Sequence, residues 1–145
     1  MAAASPKAFN ILALDVGTAR VGVALANTIA KMPSPLVILE NNEQIFEELK
    51  SIIEEEDIAT VVIGLPRNMK GEETEQSEVS RNFAGRLKKK INQEIVFADE
   101  SLSTKRAETS RYVKGKDPRR GKHLDDVAAC FILEEYFSQE STVNG

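Results

Sequence analysis

The sequence holds a single cysteine, Cys130, and a single histidine, His123. One thiol rules out an intramolecular disulfide, and a cysteine-built zinc site lacks its ligands. Cys130 falls within an apolar run, where core filling is the expected role. No apolar stretch approaches the roughly 20 residues of a membrane span. The opening Met1-Ala2-Ala3-Ala4-Ser5-Pro6-Lys7 lacks the long apolar region of a secretory signal, so a cytoplasmic protein without membrane contact is expected. Basic residues are in the minority, 19 Lys and Arg against 23 Asp and Glu for a formal charge of -4, which argues against a uniformly basic nucleic-acid binder. At 145 residues and 41% apolar content, one domain spanning 1–145 is expected, with flexible termini over 1–8 and 138–145. A chain of this length buries roughly two-thirds of its unfolded surface and needs no covalent staple.

The charge is unevenly distributed. From Thr104 to His123 stand Lys105, Arg106, Arg111, Lys114, Lys116, Arg119, Arg120 and Lys122, against Glu108 and Asp117. Eight bases and two acids leave a local charge of +6. Acid is concentrated elsewhere, in Glu54-Glu55-Glu56-Asp57 and Glu72-Glu73-Thr74-Glu75. A local basic patch binds phosphate whatever the average charge. The plain alternative, a solvated basic loop, stays open here.

Hydrophobic patterning sets the order of elements. Residues 9–14 form a buried strand stopped by Asp15-Val16-Gly17-Thr18, and Val21–Ala26 returns as the second arm of a hairpin. Leu36–Leu39, entered through Pro33 and Pro35, is a third strand. Ile45, Phe46, Leu49, Ile52 and Ile53 then make one helical stripe. The β-branched run Thr60–Leu65 suits a strand covered on both faces. Val79, Phe83 and Leu87 mark a second helix, and Glu94–Ala98 a last strand closed by Asp99-Glu100. Ser103 is a candidate cap for a helix to about Val113, a Gly- and Pro-containing loop follows, and a final helix runs from Leu124 to Phe137. The order βββ-α-β-α-β-α-α predicts an α/β fold: a five-stranded mixed sheet, an antiparallel meander plus two parallel strands, with helices on both faces.

Three acids sit at the ends of otherwise apolar elements. Asp15 follows the first strand, Glu100 the last, and Asp125, beside Asp126, opens the small-sided helix start Val127-Ala128-Ala129-Cys130. Taken singly, an acid in a turn or at an N-cap is commonplace. If the three meet, their charges repel unless a cation neutralises them. Mg²⁺ or Mn²⁺, hard ions that take oxygen ligands, would do so. Such ions activate water and stabilise the leaving oxygen in phosphodiester hydrolysis. Arg20 lies between Gly17 and Gly22 at the expected turn, placed to meet a phosphate. Arg67 lies in the loop Gly64–Gly71 ahead of a helix, where backbone N–H groups suit an anion. An ordinary strand-to-helix loop has the same composition. His123 is read as a loop residue or phosphate contact rather than a general base.

The segment Asp15-Val16-Gly17-Thr18-Ala19-Arg20-Val21-Gly22-Val23-Ala24 resembles the opening motif of the YqgF family, also called RuvX. The later pieces follow in that family's order: Gly64-Leu65-Pro66 with Gly71, Phe83-Ala84-x-x-Leu87, and Asp99-Glu100-x-Leu102-Ser103-Thr104. The last is Asp125-x-x-Ala128-Ala129-x-x-Ile132-Leu133. The likeness runs from about residue 10 to residue 137. It implies a ribonuclease H-like fold and a catalytic, metal-binding set carried onto Asp15, Glu100 and Asp125. Spacing to Ala128-Ala129 favours Asp125 over Asp126, which periodicity does not separate. The family usually has Arg where this chain has Ser101, a departure that bears on substrate affinity more than on metal binding.

The expected activity is metal-dependent endonucleolytic hydrolysis of structured nucleic acid. The resemblance implies processing at the 5′ end of precursor 16S rRNA, with Holliday-junction resolution on DNA as the alternative. Arg20, Arg67, Lys105, Arg106, Arg119, Arg120 and Lys122 are the expected substrate contacts. Junction resolution implies a two-fold homodimer, whereas rRNA trimming needs only a monomer. Two other classes compete. Leu14-Asp15-Val16-Gly17-Thr18 also resembles the first phosphate loop of sugar kinases, but those enclose their nucleotide between two domains and 145 residues leave no room for the second. A non-catalytic RNA- or ribosome-binding module has no use for three retained acids unless a metal is present.

Overall fold

A computed structural model describes the backbone over residues 9–101 and 124–144 and the side chains over 9–100 and 128–139. The chain forms β1 (Asn10–Val16), β2 (Arg20–Asn27), β3 (Ser34–Glu40), α1 (Ile45–Glu55), β4 (Ile58–Arg67), α2 (Glu75–Lys88), β5 (Glu94–Ser101) and α3 (Leu124–Asn144). The strands make one sheet in the order β3-β2-β1-β4-β5. The pairs β1–β2 and β2–β3 are antiparallel, whereas β1–β4 and β4–β5 are parallel. This is the mixed sheet expected from a meander followed by two crossovers. The helix expected over 103–113 and the loop after it lie outside the described residues.

Strand alternation sorts the side chains into two cores. Leu12, Leu14 and Val16 of β1, with Val21 and Val23 of β2 and Val61 and Ile63 of β4, face α1 and α2. Ile45, Phe46, Leu49 and Ile53 of α1 and Phe83, Ala84 and Leu87 of α2 fill this side. The opposite face carries smaller side chains: Ala13, Ala24, Ala26, Val62 and Ala98. Ala129, Cys130, Ile132, Leu133 and Phe137 of α3 lie on it. Small sheet residues let this helix approach closely, and Cys130 is fully buried there, as core filling required.

Local chemistry fixes the ends. Thr74 caps α2 by accepting from the Ser77 amide, and Ser77 answers by accepting from the Thr74 amide. The Ser77 hydroxyl also donates to the Pro66 carbonyl, fastening the helix to the end of β4. Helix α1 stops at Asp57, whose φ of 52° lies in the left-handed region that Asp tolerates better than most residues. On the outer strand β3, Pro35 withholds an N–H, and the register to β2 shifts between Val23 and Ala24 so that Leu36 bulges out. Both features break up an edge that would otherwise template further pairing. A frayed tail from Ser138 was expected; instead α3 stays helical to Asn144. No Gly or Pro interrupts the sequence from Leu124 to Asn144.

Two stability effects follow. Leu49→Ala, which empties a fully buried site, should cost about 2–5 kcal/mol. Thr74→Ala, which removes the cap, should cost about 1 kcal/mol. Urea midpoints at constant m-value measure both, and a Thr74 loss equal to the Leu49 loss would contradict the division between core and cap.

Candidate active site

The strands β1, β4 and β5 run parallel, so their carboxyl ends share one edge of the sheet. Asp15 and Glu100 stand at that edge. Both lie inside their strands rather than just past them: Asp15 pairs with Gly22 of β2, and Glu100 with Pro66 of β4. By alternation Asp15 shares a face with Ala13, and Glu100 with Ala98, so both point to the α3 side. Gly22 is thus a ladder residue opposite Asp15 and not part of a turn. Gly17 does hold the turn: its N–H donates to the Arg20 carbonyl at 2.8 Å, and a Cβ there would sit 2.8 Å from that oxygen. Asn41 braces the same turn by donating from its side chain to the Gly17 carbonyl and from its backbone to the Ala19 carbonyl.

Between the two acids lies Gly64 on β4. Leu14 pairs with Ile63 and Gly64 with Ala98, which sets Gly64 beside Asp15 on one side and just below Glu100 on the other. A Cβ at Gly64 would fall 2.6 Å from Glu100 Oε2 and 2.6 Å from Ile132 Cδ1. The missing side chain is what lets the Glu100 carboxylate lie over β4 beneath α3. Glu100 is only 5% exposed, and a carboxylate so buried must be hydrogen-bonded or charge-compensated.

The direction of α3 follows from two contacts. Ile132 sits over Gly64, while the Phe137 ring lies 5.8 Å from Lys31 Nζ, in the β2–β3 turn at the opposite sheet edge. The helix therefore runs back across the sheet with its N-terminal end toward the edge of Asp15 and Glu100. Asp125 and Asp126 are in its first turn. Among the described side chains no three acidic, His or Cys groups converge, and the side chain of Asp125 is outside that set.

The expected substrate contacts divide. Arg20 is exposed and opens β2 on the same face as Gly22, hence beside Asp15. Arg67 is not brought to the acids. It leaves β4 on the α1–α2 face, where Nε pairs with Asp99 at 3.1 Å, Nη2 lies 3.8 Å from Glu73, and Nη1 donates to the Gly71 carbonyl. Arg81 completes this cluster through two hydrogen bonds to Glu73, at 2.8 and 2.6 Å. The N-terminus of α2 behind the loop, a candidate anion site from the sequence, has its Ser77 amide taken by Thr74. Lys105, Arg106, Arg119, Arg120, Lys122 and His123 lie outside the described residues.

The Gly64 floor and the Asn41 brace were not anticipated. A glycine inside a β-branched run was the available signal for the first, since such a glycine often marks a close approach. Nothing in the sequence links Asn41 to the turn.

A meander with two crossovers, acids at the carboxyl edge and a helix returning over them define the ribonuclease H-like fold. The fold likeness extends to Thermus thermophilus RuvC, solved with a Holliday junction substrate: TM-score 0.55 at 10% identity, over 92% of this chain and 97% of that one. The sequence profile of the RuvX family, described as Holliday junction resolvase, matches residues 9–139, and the chain belongs to that family. Curated relatives carry the name "Putative pre-16S rRNA nuclease". One from Sulfurihydrogenibium is 37% identical over 91% of this chain and 95% of its own length. Another, from Rickettsia felis, is 43% identical over 86% of this chain and 82% of its own.

Gly64→Ala should lower stability by about 1–3 kcal/mol, since Glu100 or Ile132 must move to admit the methyl group. It should also lower hydrolysis at temperatures where the protein stays folded, and full activity there would show that the Glu100 position is not critical. The Glu73 cluster makes a separate prediction. The hydrogen bond from Arg81 holds the Glu73 carboxyl below the usual glutamate range. A depressed carboxyl stabilises the fold above the unfolded value, and that contribution fades as pH falls through the lower folded value. Arg81→Gln should raise the Glu73 midpoint, followed by carboxyl-carbon NMR titration, and an unmoved midpoint would contradict the assignment.

Proposed function

We propose that the chain, acting as one domain over 1–145, is a metal-dependent endonuclease that hydrolyses phosphodiester bonds in structured nucleic acid. The favoured substrate is the 5′ region of precursor 16S rRNA. The observation that carries the reading is the pairing of Asp15 and Glu100 on one sheet face, across Gly64, in a chain of the RuvX family. The names of the curated relatives favour RNA, whereas the family description makes a four-way DNA junction the competing substrate.

Asp15 and Glu100, with Asp125 as third ligand, fit Mg²⁺ or Mn²⁺: the donors are all oxygen, and Gly64 puts no side chain between them. When bound, the metal supplies water activation and stabilisation of the leaving oxygen. The spacing of the family motif to Ala128-Ala129 favours Asp125 over Asp126 as the third ligand. Arg20, on the Asp15 face, attracts the phosphate and orients it. The buried setting of Glu100 excludes water and strengthens each charge interaction at the scissile bond. The segment 104–123 carries +6 in an otherwise acidic chain, a local charge that favours binding to a polyanion.

Asp15→Asn, Glu100→Gln and Asp125→Asn should each leave a folded protein and lower hydrolysis at least about a hundredfold, with little further loss in double variants. Asp126→Asn should be mild. The deciding assay compares precursor rRNA and a four-way DNA junction in Mn²⁺. Cleavage of the junction alone would replace the RNA reading, and activity surviving Asp15→Asn would remove Asp15 from the site.

The basic segment makes its own prediction. Each phosphate contact releases condensed counterions, so affinity should fall steeply with salt. Replacing Arg119, Arg120 and Lys122 with Ala should flatten the slope of log affinity against log salt by up to about three units on a duplex. Binding across a salt series in Ca²⁺ measures it, and an unchanged slope would return the segment to a solvated loop.

A further inference from the structure

Among the described residues five large hydrophobic side chains stand exposed: Phe9, Ile29, Met32, Leu36 and Met69. Phe9, Ile29 and Met32 lie at the sheet edge opposite the acids, and Leu36 is on the outer strand β3. Met69 alone of the five is at the edge of Asp15 and Glu100, in the loop that leaves β4 two residues after the Pro66–Glu100 pair. It is 74% exposed.

An isolated exposed methionine needs no special account. The mounting of this one does. The Asn68 carbonyl accepts from the Gly71 amide at 2.9 Å, and its side-chain oxygen accepts from the Lys70 and Glu72 amides, each at 2.9 Å. Its amide nitrogen donates to Glu72 Oε1, and its backbone N–H to the Glu72 carbonyl. Gly71 takes φ +83°, which closes the turn at no steric cost. Arg67 ties the base of the loop to Gly71, Glu73 and Asp99. The loop is thus fixed by its own hydrogen bonds, and its tip holds an apolar side chain in water, where turn chemistry would favour a polar one.

We propose that Met69 is a contact for an unpaired base of the nucleic acid, packing its thioether against the base face beside the hydrolytic edge. This rests on the nuclease reading above and names the substrate feature that the site selects. A rigid tip loses little freedom on binding, so the contact is available without an ordering cost. Methionine is polarisable and packs well on π faces, and apolar side chains including Met are used to wedge between bases. Lys70, next in the loop, is exposed and suits the neighbouring phosphate. Together these features favour RNA or DNA with a bulged or splayed nucleotide over a continuous duplex.

The test uses the full chain in Ca²⁺ and two RNA probes, a fully paired duplex and the same duplex with one unpaired nucleotide. Wild type should bind the bulged probe more tightly. Met69→Ala should weaken bulged-probe binding roughly five- to tenfold while leaving the paired probe and the thermal midpoint unchanged. Met69→Leu, which keeps apolar surface, should retain most of the preference. In Mn²⁺ the Ala variant should raise KM with kcat little changed. Equal weakening on both probes, or none on either, would overturn the role of Met69 and leave the nuclease reading standing. Failure of wild type to bind either probe would overturn both.

Discussion

The register of β1 is the constraint on which the rest depends. It is paired on both sides, antiparallel to β2 and parallel to β4, and its alternation assigns every neighbour to a face. A slip of one residue would turn Leu12, Leu14 and Val16 toward α3 and Asp15 into the core under α1 and α2. Leucines that pack one side thereby fix the direction in which the acid points on the other. The position of the candidate catalytic group is a by-product of burying apolar surface, and the fold needs no separate device to aim it.

The two faces differ in the size of what they carry, and this matters for the site. The α1–α2 side is filled by Leu, Ile, Val and Phe, which give bulk and stability. The α3 side is floored by Ala13, Ala24, Ala26, Ala98 and Gly64, so a helix comes in low over the sheet. Low approach is what covers Glu100 and brings the first turn of α3 toward the carboxyl edge. The chain thus separates a thick, apolar half from a thin half that holds the candidate acids.

Much of this could be read from residue order. Each strand announced itself as an apolar run, and α1 and α2 by their stripes, because burial on two faces or on one leaves different periodicities. The ends were less legible. Asp15 and Glu100 interrupt the hydrophobic run but not the hydrogen-bond ladder, so both strands extend through the acids. The Thr74–Ser77 cap is not legible in the sequence because Ser stands where the familiar pattern has Glu or Gln. Past Phe137 the helix loses its apolar signal while nothing forces the backbone out of helix. Arg67 illustrates a different limit: its partners Asp99 and Glu73 come from other elements, and only the β4–β5 pairing brings Asp99 beside it. The candidate acids were found by motif, whereas Gly64 between them acquires its meaning only when β1, β4 and β5 are laid side by side.

Cys130, the sole thiol, is sealed between α3 and the sheet. A thiol reagent in solution therefore reacts with the native chain only when that helix lifts or the whole protein opens. The molecule carries its own chemical clock for the detachment of the helix that roofs the acids. A labelling rate faster than global unfolding would mean that the roof moves independently of the thick half beneath the sheet. Because the same helix lies over Glu100 and Gly64, such motion would open the buried carboxylate to water as it occurred.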